Sequence, residues 1–207
     1  VLLAEMAEDL IAAGIDGINV SLDTVEREIF AQITRRDYFD KVMAGLERVK
    51  ELQFSNLKIN CVPIVQFNGN QIVKLAQQAQ DYPLAVRFIE LMPIGLGSAY
   101  TAVSKEDIMK LLTEAFGPLQ PYEEKLGNGP AEYYSLPGFQ GKIGFIGAIH
   151  NKFCGQCNRV RLTSNGFLKL CLNQKKGMEL LPLLRSGCDD STLQAAIADI
   201  ILQKPLE

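Results

Sequence analysis

The stretch Ile18-Asn19-Val20-Ser21-Leu22 alternates apolar and polar side chains, the pattern of a β-strand with one buried face. A helical segment over residues 3–13 precedes it and ends at Gly14, a residue that commonly terminates helices. The following patterns predict a helix over 39–52, a strand over 57–65, a helix over 70–80 and a strand over 86–92. Helices and strands that alternate at this short spacing predict an α/β fold built from parallel βα units.

Polar side chains stand inside these strands at positions that we expect to be buried. They are Asn19, Ser21, Asp23, Lys58 and Asn60. Two interpretations remain open: a half-solvated sheet face, or a barrel whose interior is polar because ligands occupy it.

The pattern changes after Met92. A loop over 93–98 leads to a helix over 104–116, for which Ser104 is a suitable N-cap. Glycine- and proline-containing turns then separate short strands such as 142–146, and residues 193–202 are again helical. We therefore predict two regions, a partial barrel over 1–95 and an α+β extension over 96–207.

Composition limits the classes of function. The 207 residues are 47% apolar and 22% charged, typical of a globular protein in water. The net charge of −3 argues against a protein that coats nucleic acid or an anionic membrane. No apolar run approaches the ~20 residues of a membrane span, and we expect a cytoplasmic protein.

Five cysteines, an odd number, favour metal binding over a disulfide framework. Cys154, Cys157 and Cys171 give the spacing C-x2-C-x13-C. Three interpretations remain open: a zinc site completed by His150 or Cys188, a three-cysteine iron–sulfur cluster with one open iron, or unrelated buried thiols.

The residues between these cysteines predict a β-hairpin that turns at Ser164-Asn165-Gly166. A two-residue loop would place Leu162 opposite Lys169. A three-residue loop with Gly166 at positive φ would place Leu162 opposite Leu168 and Val160 opposite Leu170. We favour the second register because it gives one apolar face.

The favoured register has a cationic second face. Arg161 would lie opposite Lys169, and Arg159 opposite Cys171. Because like charges directly across a strand pair are destabilising, an anion such as a phosphate is expected between them. A solvated face on which the cations diverge is the alternative.

The sequence FCGQCNRVRLTSNGFLKLCL, residues 153–172, resembles the C-terminal cluster motif of the GTP 3′,8-cyclase family. Further segments resemble that family in the same order, over almost the whole chain. They are NVSLD at 19–23, KIN at 58–60, RFIELMP at 87–93, GPA at 129–131 and GFI at 144–146.

The resemblance implies an α/β protein: an incomplete (β/α)6 radical-SAM barrel followed by an α+β extension with an auxiliary iron–sulfur cluster. The implied enzyme cyclises GTP in molybdenum cofactor biosynthesis, using S-adenosylmethionine and two [4Fe–4S] clusters. Its product would pass to cyclic pyranopterin monophosphate synthase, and a homodimer is a possible assembly.

The resemblance also implies residue roles. Cys154, Cys157 and Cys171 would ligate the second cluster, whose open iron would meet guanine. GTP would contact Arg159, Val160 and Arg161, while its triphosphate would contact Lys58 and Arg87. Ser21 and Met92 would line the S-adenosylmethionine pocket, Met92 through its carbonyl group.

One departure from the family concerns the first cluster. No cysteine precedes Cys61, and the three-cysteine radical-SAM motif would belong to a segment before Val1. We therefore expect a C-terminal fragment that is inactive alone. The rival interpretations are a zinc-stabilised binding module and another radical-SAM enzyme with an auxiliary cluster.

Overall fold

The structure is a computed structural model that describes residues 1–147, 149 and 154–205. Its residues form two compact units, Val1–Asn151 and Lys152–Glu207. The first unit holds a six-stranded sheet and the second a three-stranded sheet. No helix in the described part of the chain is long and apolar enough to cross a bilayer.

The first unit is a mixed α/β structure. Strands β1, β2, β3 and β6 pair in parallel in that order, and β5 and β4 add to β6 as antiparallel strands. The strands are β1 Ile18–Ser21, β2 Leu57–Cys61, β3 Ala85–Ile89, β4 Gln120–Tyr122, β5 Glu132–Ser135 and β6 Lys142–Ile146. The helices are α1 Leu3–Ala12, α2 Arg27–Thr34, α3 Phe39–Glu51, α4 Ile72–Ala76 and α5 Lys105–Phe116.

The apolar sides of these helices and one face of the sheet form the core of this unit. Strand residues such as Ile59 and Val86 are fully buried there, with Leu46 of α3 and Leu112 of α5. Burial of such side chains supplies most of the folding free energy, about 1.5–3 kcal/mol for each large apolar side chain. The opposite face of the sheet is left to polar side chains.

Several predicted elements are confirmed and several are shorter than expected. Ser104 caps α5, and its hydroxyl oxygen accepts a hydrogen bond from the amide of Asp107 at 3.0 Å. Strand β2 ends at Cys61 instead of residue 65, because the amide of Val62 donates to the carboxylate of Asp23 at 2.8 Å and Pro63 has no amide hydrogen.

The predicted boundary at residue 95 falls inside the first compact unit. Strands β4, β5 and β6, all beyond that residue, continue the sheet that β1, β2 and β3 begin. A division of the chain by function at residue 95 stays a prediction.

The second unit is a small antiparallel sheet covered by helices. Its elements are β7 Arg161–Leu162, β8 Phe167–Lys169, β9 Gly177–Glu179, α6 Leu181–Arg185 and α7 Asp190–Leu202. Leu168 and Leu170 pack with Leu180 and with Ile200 of α7 in a separate core. The carboxylate of Asp189 caps α7 by accepting from the amide of Thr192 at 2.8 Å.

Candidate functional site

The face of the large sheet that does not meet the core carries polar and small side chains in two rows. Strand pairing places neighbouring residues of a row on the same face. The first row runs Asn19, Lys58, Ala85, Lys142, and the second runs Ser21, Asn60, Arg87, Gly144.

Arg87 is held in the second row by amide side chains. Its Nε donates to Oδ1 of Asn60 at 2.8 Å, and its Nη2 donates to Oδ1 of Asn19 at 2.5 Å. Gly144 leaves room beside it, since a Cβ there would lie 2.9 Å from Arg87 Cγ and from the ring of Tyr133. Burial raises the pKa of Tyr133, which keeps its phenol neutral. The acceptors on Asn60 and Asn19 are both neutral amide oxygens.

Lys58 is the most buried cation of this face, with 7% of its surface exposed. Its ammonium group donates to Oδ1 of Asn56. Burial, and secondarily the charge of Arg87, lowers the pKa of Lys58 below its usual value. Two cations on one partly buried face repel each other, and an anionic ligand between them would offset that cost.

A cavity of about 200 Å³ opens at the amino ends of β2, β3 and β6. Lys58, Ala85, Lys142 and Tyr122 are among the residues that line it. The ammonium group of Lys142 lies 4.8 Å from the ring centre of Tyr122 and 3.3 Å from the carbonyl oxygen of Gln140. Lys142 is a cation that the sequence did not identify; only the strand register reveals that it shares a row with Lys58.

Exposure corrects part of the sequence prediction. Asn19 and Ser21, expected to be buried, are exposed, because β1 is the edge strand of the sheet. Asp23 and Asn60 are half-buried, and Lys58 alone of the five is buried.

Ser21 is the last residue of β1, and Met92 follows the last residue of β3, Ile89, by three positions. Ligand sites are expected at this carboxyl edge of a parallel sheet. The carbonyl oxygen of Met92 accepts from the amide of Ile94 at 2.8 Å, and one lone pair remains for a ligand. A Cβ at Gly97 would come within 2.4 Å of that oxygen, so the backbone approaches Met92 closely there. Whether either residue binds S-adenosylmethionine stays a prediction.

The second unit presents the predicted hairpin. Arg161 pairs with Lys169, Leu162 pairs with Leu168, and Gly166 has a φ of 83°. These features confirm the three-residue loop, and the amide of Gly166 closes its turn by donating to the carbonyl of Thr163 at 3.0 Å.

The hairpin ends sooner than predicted. Val160 and Leu170, and likewise Arg159 and Cys171, lie beyond the ends of β7 and β8, so the ladder does not extend to these two expected pairs. The ammonium group of Lys204 replaces them and donates to the carbonyl oxygens of Arg159 and Leu170, the latter at 2.7 Å. Lys169 donates to the carbonyl oxygen of Leu172 at 2.8 Å.

Cys154, Cys157 and Cys171 are free and half-buried; Cys154 is the first residue of a 3₁₀ turn and Cys157 directly follows that turn. Free thiols of this kind suit iron–sulfur or zinc ligation. Within the described ranges, however, no three cysteine, histidine or carboxylate side chains are close enough to hold a metal ion. The ligand set stays a prediction, and His150 lies outside the described residues. Cys61, predicted to be a core residue, is 1% exposed, and burial raises its pKa well above the usual value.

Two protein families match this α/β chain, each over a different part of it. Residues 1–79 match the Radical SAM superfamily. Residues 84–207 match the family described as Molybdenum Cofactor Synthesis C. The chain belongs to this molybdenum cofactor synthesis family.

Three similar proteins carry the same name. The chain is 38% identical over 205 residues to GTP 3′,8-cyclase of Clostridium perfringens (strain 13 / Type A). The alignment covers 99% of the chain and 63% of that relative. It is 41% identical over 207 residues to GTP 3′,8-cyclase of Syntrophomonas wolfei subsp. wolfei, with 99% and 63% covered. It is 39% identical over 208 residues to GTP 3′,8-cyclase of Desulforamulus reducens, an alignment that covers 99% of the chain and 64% of that relative. The chain thus spans less than two thirds of the length of these curated relatives.

Proposed function

We propose that the chain forms part of a GTP 3′,8-cyclase, a lyase that converts GTP to (8S)-3′,8-cyclo-7,8-dihydroguanosine 5′-triphosphate for molybdenum cofactor biosynthesis. The observation that carries this proposal is the cationic sheet face with buried Lys58 and amide-held Arg87. Its family membership and the names of its relatives support the same reading over the zinc-module and other radical-SAM alternatives.

In this proposal the triphosphate lies on the sheet face. Lys58 and Arg87 neutralise its charge, and the cavity beside Lys58 gives it room. An ammonium group suits a phosphate as a point charge, while a guanidinium binds two phosphate oxygens side by side. Burial of Lys58 before the ligand arrives makes its contact with the phosphate stronger than on an open surface.

Arg159, the backbone of Val160 and Arg161 would hold GTP from the hairpin. Arg161 is exposed at the start of β7, so its guanidinium is accessible to a ligand. Its partner across the ladder, Lys169, is bound to a backbone carbonyl, which leaves Arg161 as the cation of that pair directed to the ligand.

The cofactors of the proposed enzyme are S-adenosylmethionine and two [4Fe–4S] clusters. S-adenosylmethionine, bound with the first cluster, supplies the radical chemistry at the ribose C3′. Ser21 and Met92 would line its pocket, in an incomplete (β/α)6 barrel over residues 1–95. Cys154, Cys157 and Cys171, in the extension over 96–207, would hold the second cluster.

The proposal also places the enzyme in its setting. A cytoplasmic homodimer would release a cyclised nucleotide that cyclic pyranopterin monophosphate synthase consumes. Nucleic acid and membranes are not among its expected partners.

Titration of GTP into the 207-residue chain tests the proposal. Arg161→Ala is expected to weaken GTP binding about ten- to a hundred-fold, the loss of one charge-assisted hydrogen bond worth about 1.5–3 kcal/mol. Arg185→Ala, an exposed arginine of α6, is the matched control and should bind like the parent. If Arg161→Ala bound GTP as tightly as the parent, Arg161 would not contact GTP, and the two arginines would belong to a solvated surface.

A further inference from the structure

Two lysines contact the backbone on either side of Cys171. The ammonium group of Lys204 donates to the carbonyl oxygen of Leu170 at 2.7 Å, and that of Lys169 donates to the carbonyl oxygen of Leu172 at 2.8 Å. Lys204 also donates to the carbonyl oxygen of Arg159. One side chain therefore joins the two segments of the hairpin at the point where its ladder has ended.

Helix α7 delivers Lys204 to this point. The helix ends in a tight turn, in which the amide of Gln203 donates to Ile200 at 3.1 Å and that of Lys204 to Ile201 at 3.0 Å. Ile200 packs in the same apolar core as Leu170. The packing of α7 thus fixes where the lysine stem begins, and the ammonium group has only to reach the adjacent carbonyls.

The contacts of Lys204 replace those that the strands do not make. Beyond Arg161 and Lys169 the two segments lie outside β7 and β8. Both acceptors given for Lys204 are backbone carbonyls, and hydrogen bonds from a charged donor are about twice as strong as neutral ones. The carbonyls belong to Arg159 and to the residue before Cys171, two positions of the proposed GTP and cluster sites.

We propose that Lys204 is a positioning residue that holds the Arg159 and Cys171 segments at a fixed separation, with Lys169 securing the far side of Cys171. This inference rests on the proposed function, because it assigns those segments to GTP and to the second cluster. It adds a role for a residue that is not among the predicted GTP and cluster ligands and lies 45 positions along the chain from Arg159.

Hydrogen exchange on the ligand-free chain tests the contact directly. In Lys204→Met the amides of residues 159–161 and 170–172 are expected to exchange about ten-fold faster or more, since charge-assisted bonds worth about 1.5–3 kcal/mol are lost. GTP affinity should fall by a similar factor. Lys204→Arg, which can donate to two carbonyls at once, should restore both properties.

Lys175→Met is the matched control, because Lys175 is an exposed lysine of the same unit. It should leave exchange and GTP affinity unchanged. If Lys204→Met does not fold, Lys204→Gln replaces it in both assays.

Parent-like exchange in these segments of a folded Lys204 variant without the charge would overturn the inference. So would a Lys204→Arg chain that folds but exchanges as fast as Lys204→Met. A parent chain that binds no GTP would refute the proposed function, while the exchange measurement still decides whether Lys204 holds the hairpin.

Discussion

Lys58 is an unusual residue for a sheet interior because a lysine is rarely buried without an acidic partner. Its row of side chains is next to the row that contains Arg87. Burial, and secondarily the charge of Arg87, lowers the pKa of Lys58. The folded chain therefore releases the Lys58 proton at a lower pH than the unfolded chain does. Protonated Lys58 makes the fold less stable; this cost declines as pH rises above the lowered pKa and is gone above the ordinary pKa of the unfolded chain.

A ligand with phosphate groups reverses that preference, because it favours the charged lysine. Affinity for inorganic triphosphate is therefore expected to decline as pH rises through the lowered pKa of Lys58, below the usual 10.5. Lys58→Arg should keep its affinity through that range, since arginine stays protonated. Calorimetric titrations between about pH 7 and pH 10 measure the difference.

The exposed Lys110 of α5 provides the control, since Lys110→Arg should follow the pH profile of the parent. Identical profiles for the parent and Lys58→Arg would show that Lys58 does not meet the anion.

The residues of the candidate site differ in how well the sequence alone predicts them. Lys58 could be identified as a polar residue inside a predicted strand, and Arg87 only through the family resemblance. Lys142 could not, since its role depends on β3 and β6 pairing across more than fifty intervening residues. The exposure of Asn19 and Ser21 depends on strand order, which no local pattern specifies.

At the scale of elements, the packing of β5, β6 and β3 depends on a glycine. Gly144 stands between Arg87 and Tyr133 in one row. Gly144→Ala would bring a methyl group within 2.9 Å of Arg87 Cγ and of the Tyr133 ring. We expect a loss of about 1–3 kcal/mol in unfolding free energy and weaker GTP binding, measured by denaturant unfolding and titration.

Gly69→Ala is the matched control, because its new methyl would meet Val103 at an ordinary 3.6 Å. If the two alanine variants are equally stable and bind GTP equally well, the close packing around Gly144 does not position Arg87.

Secondary structure was predictable where the periodicity is long or the turn chemistry specific. Helix α3 repeats its apolar positions over thirteen residues, and Gly166 is the residue that a left-handed turn position requires. Helix α2 is not evident from the sequence because it is only eight residues long and its N-cap residue, Glu26, makes no side-chain cap hydrogen bond. The contacts of Lys204 with the hairpin are not evident from the sequence, because Lys204 lies 45 positions from Arg159.

At the scale of the whole molecule, the three predicted cysteine ligands should determine how much iron the chain binds. The anaerobically reconstituted chain is expected to bind about four iron ions, as one [4Fe–4S] cluster. Cys171→Ser should lose most of that iron, because a hydroxyl is a poor substitute for a thiolate ligand. Iron and sulfide analysis with absorption spectroscopy measures the loss.

Cys188→Ser is the control for this measurement, since Cys188 is a half-buried thiol of the same unit outside the predicted ligand set. Iron content that is unaffected by Cys171→Ser, or lost equally in both variants, would contradict the three-cysteine assignment.

The two regions that match known families meet between residues 79 and 84, just before β3. That strand is not at a margin of the sheet: it bonds to β2 on one side and to β6 on the other. A gene cut at this junction would leave each product with an unsatisfied row of backbone amides and carbonyls, the kind of surface on which chains aggregate. We therefore expect the two regions to have been inherited together, because a gene that encodes only one of them would give a product with an exposed sheet edge.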